Sequence, residues 1–397
     1  MATDFTVDRD TVKYVLNSSG DIASVAIDTP AIEYNTDGTY KGLLAEPAST
    51  NLCLQSEDIN TTWSSFNATP TAVTDETPDG DTSSKYIKLV DDNTGGGATN
   101  VVYVDQTITV SGGTKYTASV FLKKDGLNWA ALQAVGAGSV GDASPFKFFD
   151  LDNGALGSGS AGIQDATIKA YPNDWYRCSM TWTQGAGDTS FAFRILVAEA
   201  NNDSVVDLDG TSSIFAWGAQ VEASPIATSY IPTTTASVTR NKDDISLTGA
   251  SDLIGQSEGT IYLEVYWRET SGASQLLLEL SDGTGNNRIL IFNSATNIYM
   301  YAQADGGSVE VFEGVSSSGF SGIQKFAFAY KTDDFKLYRN GSSIASSTSG
   351  SLAALATLTD IDLGQAFDAS PQANMWIRAV ALYKTRLTND QLADLTS

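Results

Sequence analysis

Every second residue of the run Tyr176–Thr183 is apolar. Tyr176, Cys178, Met180 and Trp182 fall on one face, and Arg177, Ser179, Thr181 and Thr183 on the other. A period of two commits a segment to a half-buried β-strand. The pattern recurs at short intervals, broken by turns such as Asp91-Asp92-Asn93-Thr94-Gly95 and Ser111-Gly112-Gly113. Over residues 46–238 it predicts strands at Tyr86–Val90, Val101–Val110, Tyr116–Lys123, Trp129–Val135, Phe146–Asp150, Tyr176–Thr183, Ser190–Ala198 and Ile214–Val221. About eight strands without helical periodicity suit a jelly-roll sandwich.

The stretch Phe215–Arg240 divides the chain. It starts as a strand in which Phe215, Trp217, Ala219 and Val221 share one face, with Gln220 and Glu222 on the other. It continues as an extended strap with Pro225, Pro232 and Thr233 to Thr235, where proline removes a ladder donor and fixes φ. The chain on either side is long enough for its own core. After the strap, Ile261, Leu263, Val265 and Trp267 alternate with Tyr262, Glu264, Tyr266 and Arg268. Further strands are expected at Gln275–Leu280, Arg288–Asn293, Ile298–Gln303, Val309–Phe312, Lys325–Tyr330, Phe335–Arg339 and Trp376–Tyr383. Asn340-Gly341 is strong hairpin-turn chemistry, and Thr388 is placed to cap a short C-terminal helix bearing Leu392 and Leu395. Before residue 46, alternation at Val12, Tyr14, Leu16 and at Ile22, Ser24, Ala26 flanks the turn Asn17–Asp21. An isolated hairpin is marginal in water, so this segment must pack on something larger. The expected architecture is all-β: two antiparallel jelly-roll-type β-sandwiches, residues 46–238 and 239–397, behind an N-terminal β-hairpin attachment segment, residues 1–45.

Composition excludes several functions. Net charge is −24, with −17 over residues 1–238 and −7 over residues 239–397, and no basic cluster interrupts it. Phosphate neutralisation dominates nucleic-acid affinity, so neither nucleic acid nor an anionic membrane is an expected partner. No apolar run is long enough for membrane insertion, and the opening MATDFTVDRD is unlike an export signal. There is no histidine, which removes the commonest general base and every Ser-His or Cys-His nucleophile arrangement. Cys53 and Cys178 read as buried thiols, with one disulfide as the alternative.

Two motifs carry a resemblance. Gly42-Leu43-Leu44-Ala45-Glu46-Pro47-Ala48-Ser49-Thr50-Asn51-Leu52, followed by Ser56-Glu57-Asp58 and Trp63, is one. Trp217-Gly218-Ala219-Gln220-Val221-Glu222, followed by Thr228-Ser229-Tyr230-Ile231-Pro232-Thr233-Thr234, is the other. Together they resemble a carbohydrate-binding-module-like jelly roll found in phage virion surface proteins of head-spike, tail-fibre and adhesin type. The likeness covers about residues 5–240. Farther on, FKLYRNGSSIAS and IRAVALYKTRLTNDQLADL resemble the hairpin and the closing strand and helix of concanavalin-like or laminin-G-like sandwiches. The resemblance implies a non-enzymatic structural protein on the virion surface, made in the host cytoplasm. Its implied partners are other virion proteins of capsid or tail, its own copies as a homotrimer, and host-surface polysaccharide. The absence of heptads, collagen-like repeats and β-helix periods favours a compact head decoration or spike over a long fibre. The alternatives are a cement protein that only stabilises the capsid, a tail-fibre receptor-binding protein, and a polysaccharide depolymerase.

Aromatic rings stack on sugars, so outward aromatics are the candidate contacts. Tyr262, Tyr266, Tyr299 and Tyr301 oppose Leu263, Val265, Ile298 and Met300, and would line one sheet surface if their strands are neighbours. A glycan platform, a subunit interface and incidental exposure all fit. Trp182, Trp217 and Trp267 read as core, and Trp63 and Trp175 as packing over a sandwich end. The turns holding Asp150 and Asp152, Asp207 and Asp209, and Asp282 offer oxygen ligands for calcium, yet aspartate is also a good turn residue. Apart from calcium, no cofactor is expected. For glycosidase chemistry Glu264, Glu269 and Glu279 are available, and no motif singles them out. Gly95-Gly96-Gly97 follows acids and opens no helix, unlike a phosphate loop.

Overall fold

The computed structural model describes residues 5–397 except positions 75, 82–84, 95–99, 140, 268–273, 295, 305, 307, 354, 369 and 371. The candidate residues Arg268, Glu269 and Gly95 to Gly97 lie outside the described residues. The described chain is built of antiparallel sheets with a single short helix, Asn389–Thr396.

The first sandwich faces two six-stranded sheets. One runs in the order Ala155–Gly159, Phe146–Asp150, Trp129–Val135, Ser190–Ala198, Val102–Thr109 and Ser64–Phe66. The other runs Asp165–Ala170, Tyr176–Thr183, Lys115–Lys124, Ser213–Glu222, Lys85–Asp91 and Ala68–Thr74. Four of the eight expected strands match to the residue, and the other four differ by one residue at each end. The four strands the alternation did not announce are the four sheet edges. They bury little apolar surface, as in Ser64–Phe66 and Asp165–Ala170, so no period of two marks them. Cys178, Met180 and Trp182 point into the core between the sheets, with Phe193, Ile195 and Val221.

One alternation changes phase. In Ser213–Glu222, Ala219 and Val221 join the inter-sheet core, but Phe215 and Trp217 point to the opposite face. The register against Lys115–Lys124 slips between Ser119 and Phe121, opposite Gly218, whose φ is +66°. A bulge adds one residue and flips the side chains beyond it. A side chain at Gly218 would also lie 2.8 Å from the Phe121 ring. Trp217 is buried, therefore, in a second aromatic cluster outside the sandwich, with Phe121, Trp175, Tyr86 and Tyr230. Trp63 packs in the inter-sheet core.

The second sandwich pairs two seven-stranded sheets around Ile261, Leu263, Val265, Leu278, Ile291, Met300 and Phe328. One sheet is ordered Thr6–Asp8, Asp244–Leu247, Asp360–Leu363, Gln275–Ser281, Arg288–Ser294, Asn297–Ala304 and Ser308–Ser316. The other is Ser342–Ser347, Phe335–Arg339, Gly322–Lys331, Glu258–Trp267, Met375–Tyr383, Tyr40–Ala45 and Ile32–Tyr34. The N-terminal residues, set apart in the sequence reading, thus supply edge strands to both of these sheets. Thr6 pairs with Ser246, and Leu44 with Trp376. The hairpin Lys13–Leu16 with Ile22–Val25 closes over the other sandwich, where Leu16 and Ile22 cover Trp175 and Trp217. Thr388 caps the helix in a capping box with Gln391, and Leu392 is buried on Ala327 and Tyr338.

The two motifs are bonded to each other. Asn51 donates to the carbonyls of Ala219 and Ile231 at 3.0 and 2.8 Å and accepts from the amides of Cys53 and Val221. Ser49 donates to Glu222 at 2.6 Å, and the Ser229 amide donates to Glu46 at 2.9 Å. Ser56 meets the Tyr230 hydroxyl at 2.8 Å, and Thr233 donates to the Cys53 carbonyl at 2.7 Å. These groups are buried, and a buried polar group needs such partners. Beneath them lies a cluster of five charges. Asp243 binds Arg9 at 2.7 Å and Lys13 at 2.6 Å, while Glu46 faces Lys13 at 3.1 Å and Arg240 at 3.6 Å. Burial pushes the Glu46 carboxyl up, but Lys13, Arg240 and the Ser229 amide hold it well below the usual range. Cys53 and Cys178 are both buried and unpaired, and burial pushes both thiols up.

Candidate functional site

Two of the four candidate tyrosines come together. In Arg288–Ser294, Asn297–Ala304 and Ser308–Ser316, alternation sends Ile289, Ile291, Ile298, Met300 and Val311 into the core. It sends Phe292, Tyr299, Tyr301 and Phe312 to the outer face, where Phe292 stands opposite Tyr299 and Tyr301 opposite Phe312. Tyr299 stacks on Phe292 with centroids 4.9 Å apart and planes at 14°, and on Phe312 at 4.8 Å and 6°. Phe292 and Phe312 are only 6.2 Å apart. A straight ladder would separate the outer pair by almost twice the single spacing, so both rings lie on the same side of Tyr299. The cross-strand neighbour of Tyr299 is Gly314, where a Cβ would sit 2.2 Å from the tyrosine ring. The glycine is thus the seat of the ring. Tyr301 donates to Gln303 at 2.6 Å, beneath the Arg288 guanidinium at 5.4 Å from its ring. Phe312 is 56% exposed and Val309 55%, which makes an open aromatic surface.

Tyr262 and Tyr266 are elsewhere. Their strand, Glu258–Trp267, pairs with Gly322–Lys331 and Met375–Tyr383 in the other sheet of the same sandwich. The four tyrosines therefore form two patches on opposite outer faces, not one surface; sheet order, which alternation does not encode, decides this. Tyr262 donates to Glu264 at 3.2 Å; burial first, then the Glu264 charge, pushes its hydroxyl up to about 12. Glu264 itself is bound by Arg378 at 2.7 Å.

Tyr266 overlooks a groove of about 460 Å³ between the two sandwiches, which no local sequence pattern announces. Its ring meets Trp376 edge to face at 5.5 Å and 89°, and the Lys41 ammonium lies 3.3 Å over the Trp376 ring. The opposite wall is the first sandwich, through Lys169, Tyr171 and Arg177. Lys169 reaches across to Glu33 at 3.5 Å. The outer face of the first sandwich holds a further aromatic group that sequence reading missed. Phe66 stacks on Tyr103 at 5.1 Å, with the Arg194 guanidinium 3.6 Å from the Tyr103 ring.

The carboxylates divide by environment. Glu279, outward on its strand, is nevertheless fully buried, with Phe367 crossing it and donating its amide at 2.7 Å. Its cross-strand partner is Asp362. Burial pushes each carboxyl up to about 7, and for Asp362 the Glu279 charge adds to the effect. The acidic turns are closed on themselves: Asp150 accepts from the Asp152 and Asn153 amides, Asp209 from Thr211, and Asp282 from Thr284 and Asn287. Asp152 pairs with Lys124, and the Asp207 carbonyl accepts from Ser212. Among the described residues, the acidic oxygens that converge in a group of three are those of Asp8, Asp10 and Asp28, all exposed.

Residues 239–393 match the family model described as the concanavalin A-like lectin/glucanases superfamily. Among solved structures, the chain is similar to the CBM40 domain of a Ruminococcus gnavus IT-sialidase bound to α2,3-sialyllactose. That match has 18% identity and a TM-score of 0.32, and covers 37% of this chain and 87% of that one. It is also similar to the binding domain of botulinum neurotoxin serotype D/C, at 12% identity and TM-score 0.32, over 40% of this chain and 41% of that one. Mouse laminin α1 domains LG4-5 match at 11% identity and TM-score 0.23, over 70% of this chain and 84% of that one. No curated protein matches. Over the matched residues the second sandwich is similar to concanavalin-like, laminin-G-like domains.

Proposed function

We propose that this chain is a structural protein displayed on a phage virion, as a head decoration or spike, that attaches to host-surface glycans without transforming them. The observation that carries the attachment role is the open stack of Phe292, Tyr299 and Phe312 on the outer face of the second sandwich. The C–H faces of a pyranose are apolar and polarised, and they pack on aromatic rings whose faces carry negative charge density. A shallow surface of this kind binds weakly, and several copies on one particle convert weak contacts into firm adhesion. The virion setting is supported by the two motifs around Glu46 and Trp217. The non-enzymatic role is supported by the lack of histidine and by the engagement of Glu264 with Arg378.

The test is retention of the full-length protein on immobilised host polysaccharide. A variant carrying Tyr299→Ala, Tyr301→Ala and Phe312→Ala should lose retention while keeping its far-ultraviolet circular dichroism. Unchanged retention refutes the sheet face as the binding surface. Sedimentation equilibrium of the same variant separates the competing role: a drop in assembly mass with retention intact makes this face a contact between copies. Gold-labelled antibody against the chain should decorate intact particles, and bare particles refute the virion setting. Steady release of reducing sugar from host capsule refutes the non-enzymatic reading.

A further inference from the structure

We propose that Glu279 and Asp362, with Phe367 lying across them, form a proton-operated latch on the aromatic face of the second sandwich. Protonated, the pair holds Phe367 down; deprotonated, it releases Phe367 and draws Arg288 inward. The latch deepens the glycan-attachment reading, and it rests on that reading only for its effect on retention.

The pair stands in one row of the sheet. Ser246, Asp362, Glu279, Leu290, Tyr301 and Phe312 are successive cross-strand partners, so all six share the outer face. Yet Glu279 is 0% exposed and Asp362 5%. The segment 364–368 is what hides them. Phe367 donates its amide to Glu279 at 2.7 Å. Its ring rests against the turn at Gly285, where a Cβ would sit 3.3 Å away. Ala366 is buried in a cluster with Leu276 and Leu290. Under this cover, Glu279 Oε1 and Asp362 Oδ2 have no hydrogen-bond partner among the described residues.

The surrounding charges oppose ionisation of the pair. Asp244 faces it from the neighbouring strand, Asp360 from the strand of Asp362, and Asp368 from beside Phe367. The cation that faces it is Arg288, whose guanidinium is 3.6 Å from Glu279, too far for a strong hydrogen bond. Two buried carboxyls among three further acids and one arginine are costly to ionise together. Covered, the pair keeps its protons up to about pH 7; open to water, it would release them near pH 4. The covered state binds protons more tightly, so it is favoured at low pH and weakens as pH rises through 7. Two links carry the change to the aromatic surface. Arg288 donates to Gln303 at 3.1 Å and lies 5.4 Å from the Tyr301 ring, while Tyr301 donates to the same Gln303 oxygen at 2.6 Å. An ionised Glu279 draws Arg288 from Gln303 and so loosens Tyr301. Phe292 and Tyr301 also pack on the cluster that Ala366 completes, so lifting the segment bares the flank of the ring stack.

Hydrogen exchange of the full chain, read by mass spectrometry on a peptide holding residues 364–368, follows the latch without any ligand. Between pH 6 and pH 8 the protection of this peptide, corrected for the intrinsic pH dependence of exchange, should fall about tenfold. That is the change linked to one group titrating near 7 when covered and near 4 when open. A peptide from Tyr176–Thr183, in the other sandwich, should keep its protection. Glu279→Gln stays neutral and can still accept the Phe367 amide, so its protection should be constant over the same range. The wild-type profile decides alone should the variant not fold. Constant wild-type protection overturns the proposal, as does a variant that opens with pH as the wild type does. On immobilised host polysaccharide, wild-type retention should be greater at pH 6 than at pH 8, and retention of Glu279→Gln equal at both. Equal wild-type retention at the two pH values overturns the link to the surface. Absence of retention at either pH refutes the glycan reading and not the latch, which the exchange profile still judges.

Discussion

Asp243 is the residue whose loss should be felt most. It is 3% exposed and receives Arg9 at 2.7 Å, Lys13 at 2.6 Å and the Glu46 amide at 2.9 Å. The side chains of Arg9 and Lys13 are both fully buried. In Asp243→Asn the shape is kept and the charge removed. Three buried cations, Arg9, Lys13 and Arg240, would then face the single carboxylate of Glu46. Leaving a buried charge without its partner costs about 3–5 kcal/mol, a large share of the roughly 5–15 kcal/mol that holds a domain folded. Urea unfolding of the full chain, followed by tryptophan fluorescence, should show the midpoint falling by that amount over the slope. Replacing the set together, as Arg9→Met, Lys13→Met and Asp243→Leu, should recover most of the loss, because it leaves Glu46 and Arg240 paired with each other and no member of the cluster orphaned. A loss below about 1 kcal/mol for Asp243→Asn, the range of an exposed pair, refutes the reasoning. So does a triple variant as unstable as the single one.

Other outcomes follow from single sites. Glu279 and Asp362 bind protons more tightly folded, near pH 7, than unfolded, near pH 4. Their contribution to stability is therefore complete below about pH 4, and is lost as pH rises towards 7. The difference in melting temperature between Glu279→Gln and wild type should grow in favour of the variant from pH 5 to pH 8, and parallel profiles would contradict the assignment. Gly314→Val places a Cβ 2.2 Å from the Tyr299 ring. It should unseat the stack, reducing retention on host polysaccharide as far as Tyr299→Ala does; normal retention would show that the seat is dispensable. Cys53 and Cys178, buried with their thiols pushed up, should ignore an aromatic disulfide reagent in the native protein and titrate as two thiols in urea. Rapid native reaction of either would count against the core as described.

What the sequence disclosed followed from burial. Strands with one apolar face were visible to the residue, Trp129–Val135 and Tyr176–Thr183 among them, because each side chain either enters the core or does not. Edge strands such as Asp165–Ala170 escaped because both their faces are largely wet. The phase change at Gly218 escaped because a bulge is a matter of pairing, and the pairing partner, Lys115–Lys124, is about a hundred residues away. For the same reason Tyr266 and Tyr299 could not be assigned to different faces. Glu279 looked like a solvent position since it alternates with Leu278 and Leu280, and only the crossing of Phe367 hides it. The groove is the extreme case: Lys41, Lys169 and Trp376 share no local pattern and meet only through tertiary structure.

The strands Thr6–Asp8, Ile32–Tyr34 and Tyr40–Ala45 share sheets with the chain beyond Arg240, as the pairings of Thr6 with Ser246 and Leu44 with Trp376 show. The first sandwich is thus a long excursion between two halves of the second. During synthesis that excursion can finish folding while its host still lacks its final strands, since Met375–Tyr383 emerges from the ribosome late. A module mounted in this way leaves and re-enters its host at adjoining points, Ala45 and Arg240. Exchanging it for another would disturb the charged cluster of Glu46, Arg240 and Asp243 and the cover that Leu16 and Ile22 place on Trp175 and Trp217, and leave the host's own layers intact.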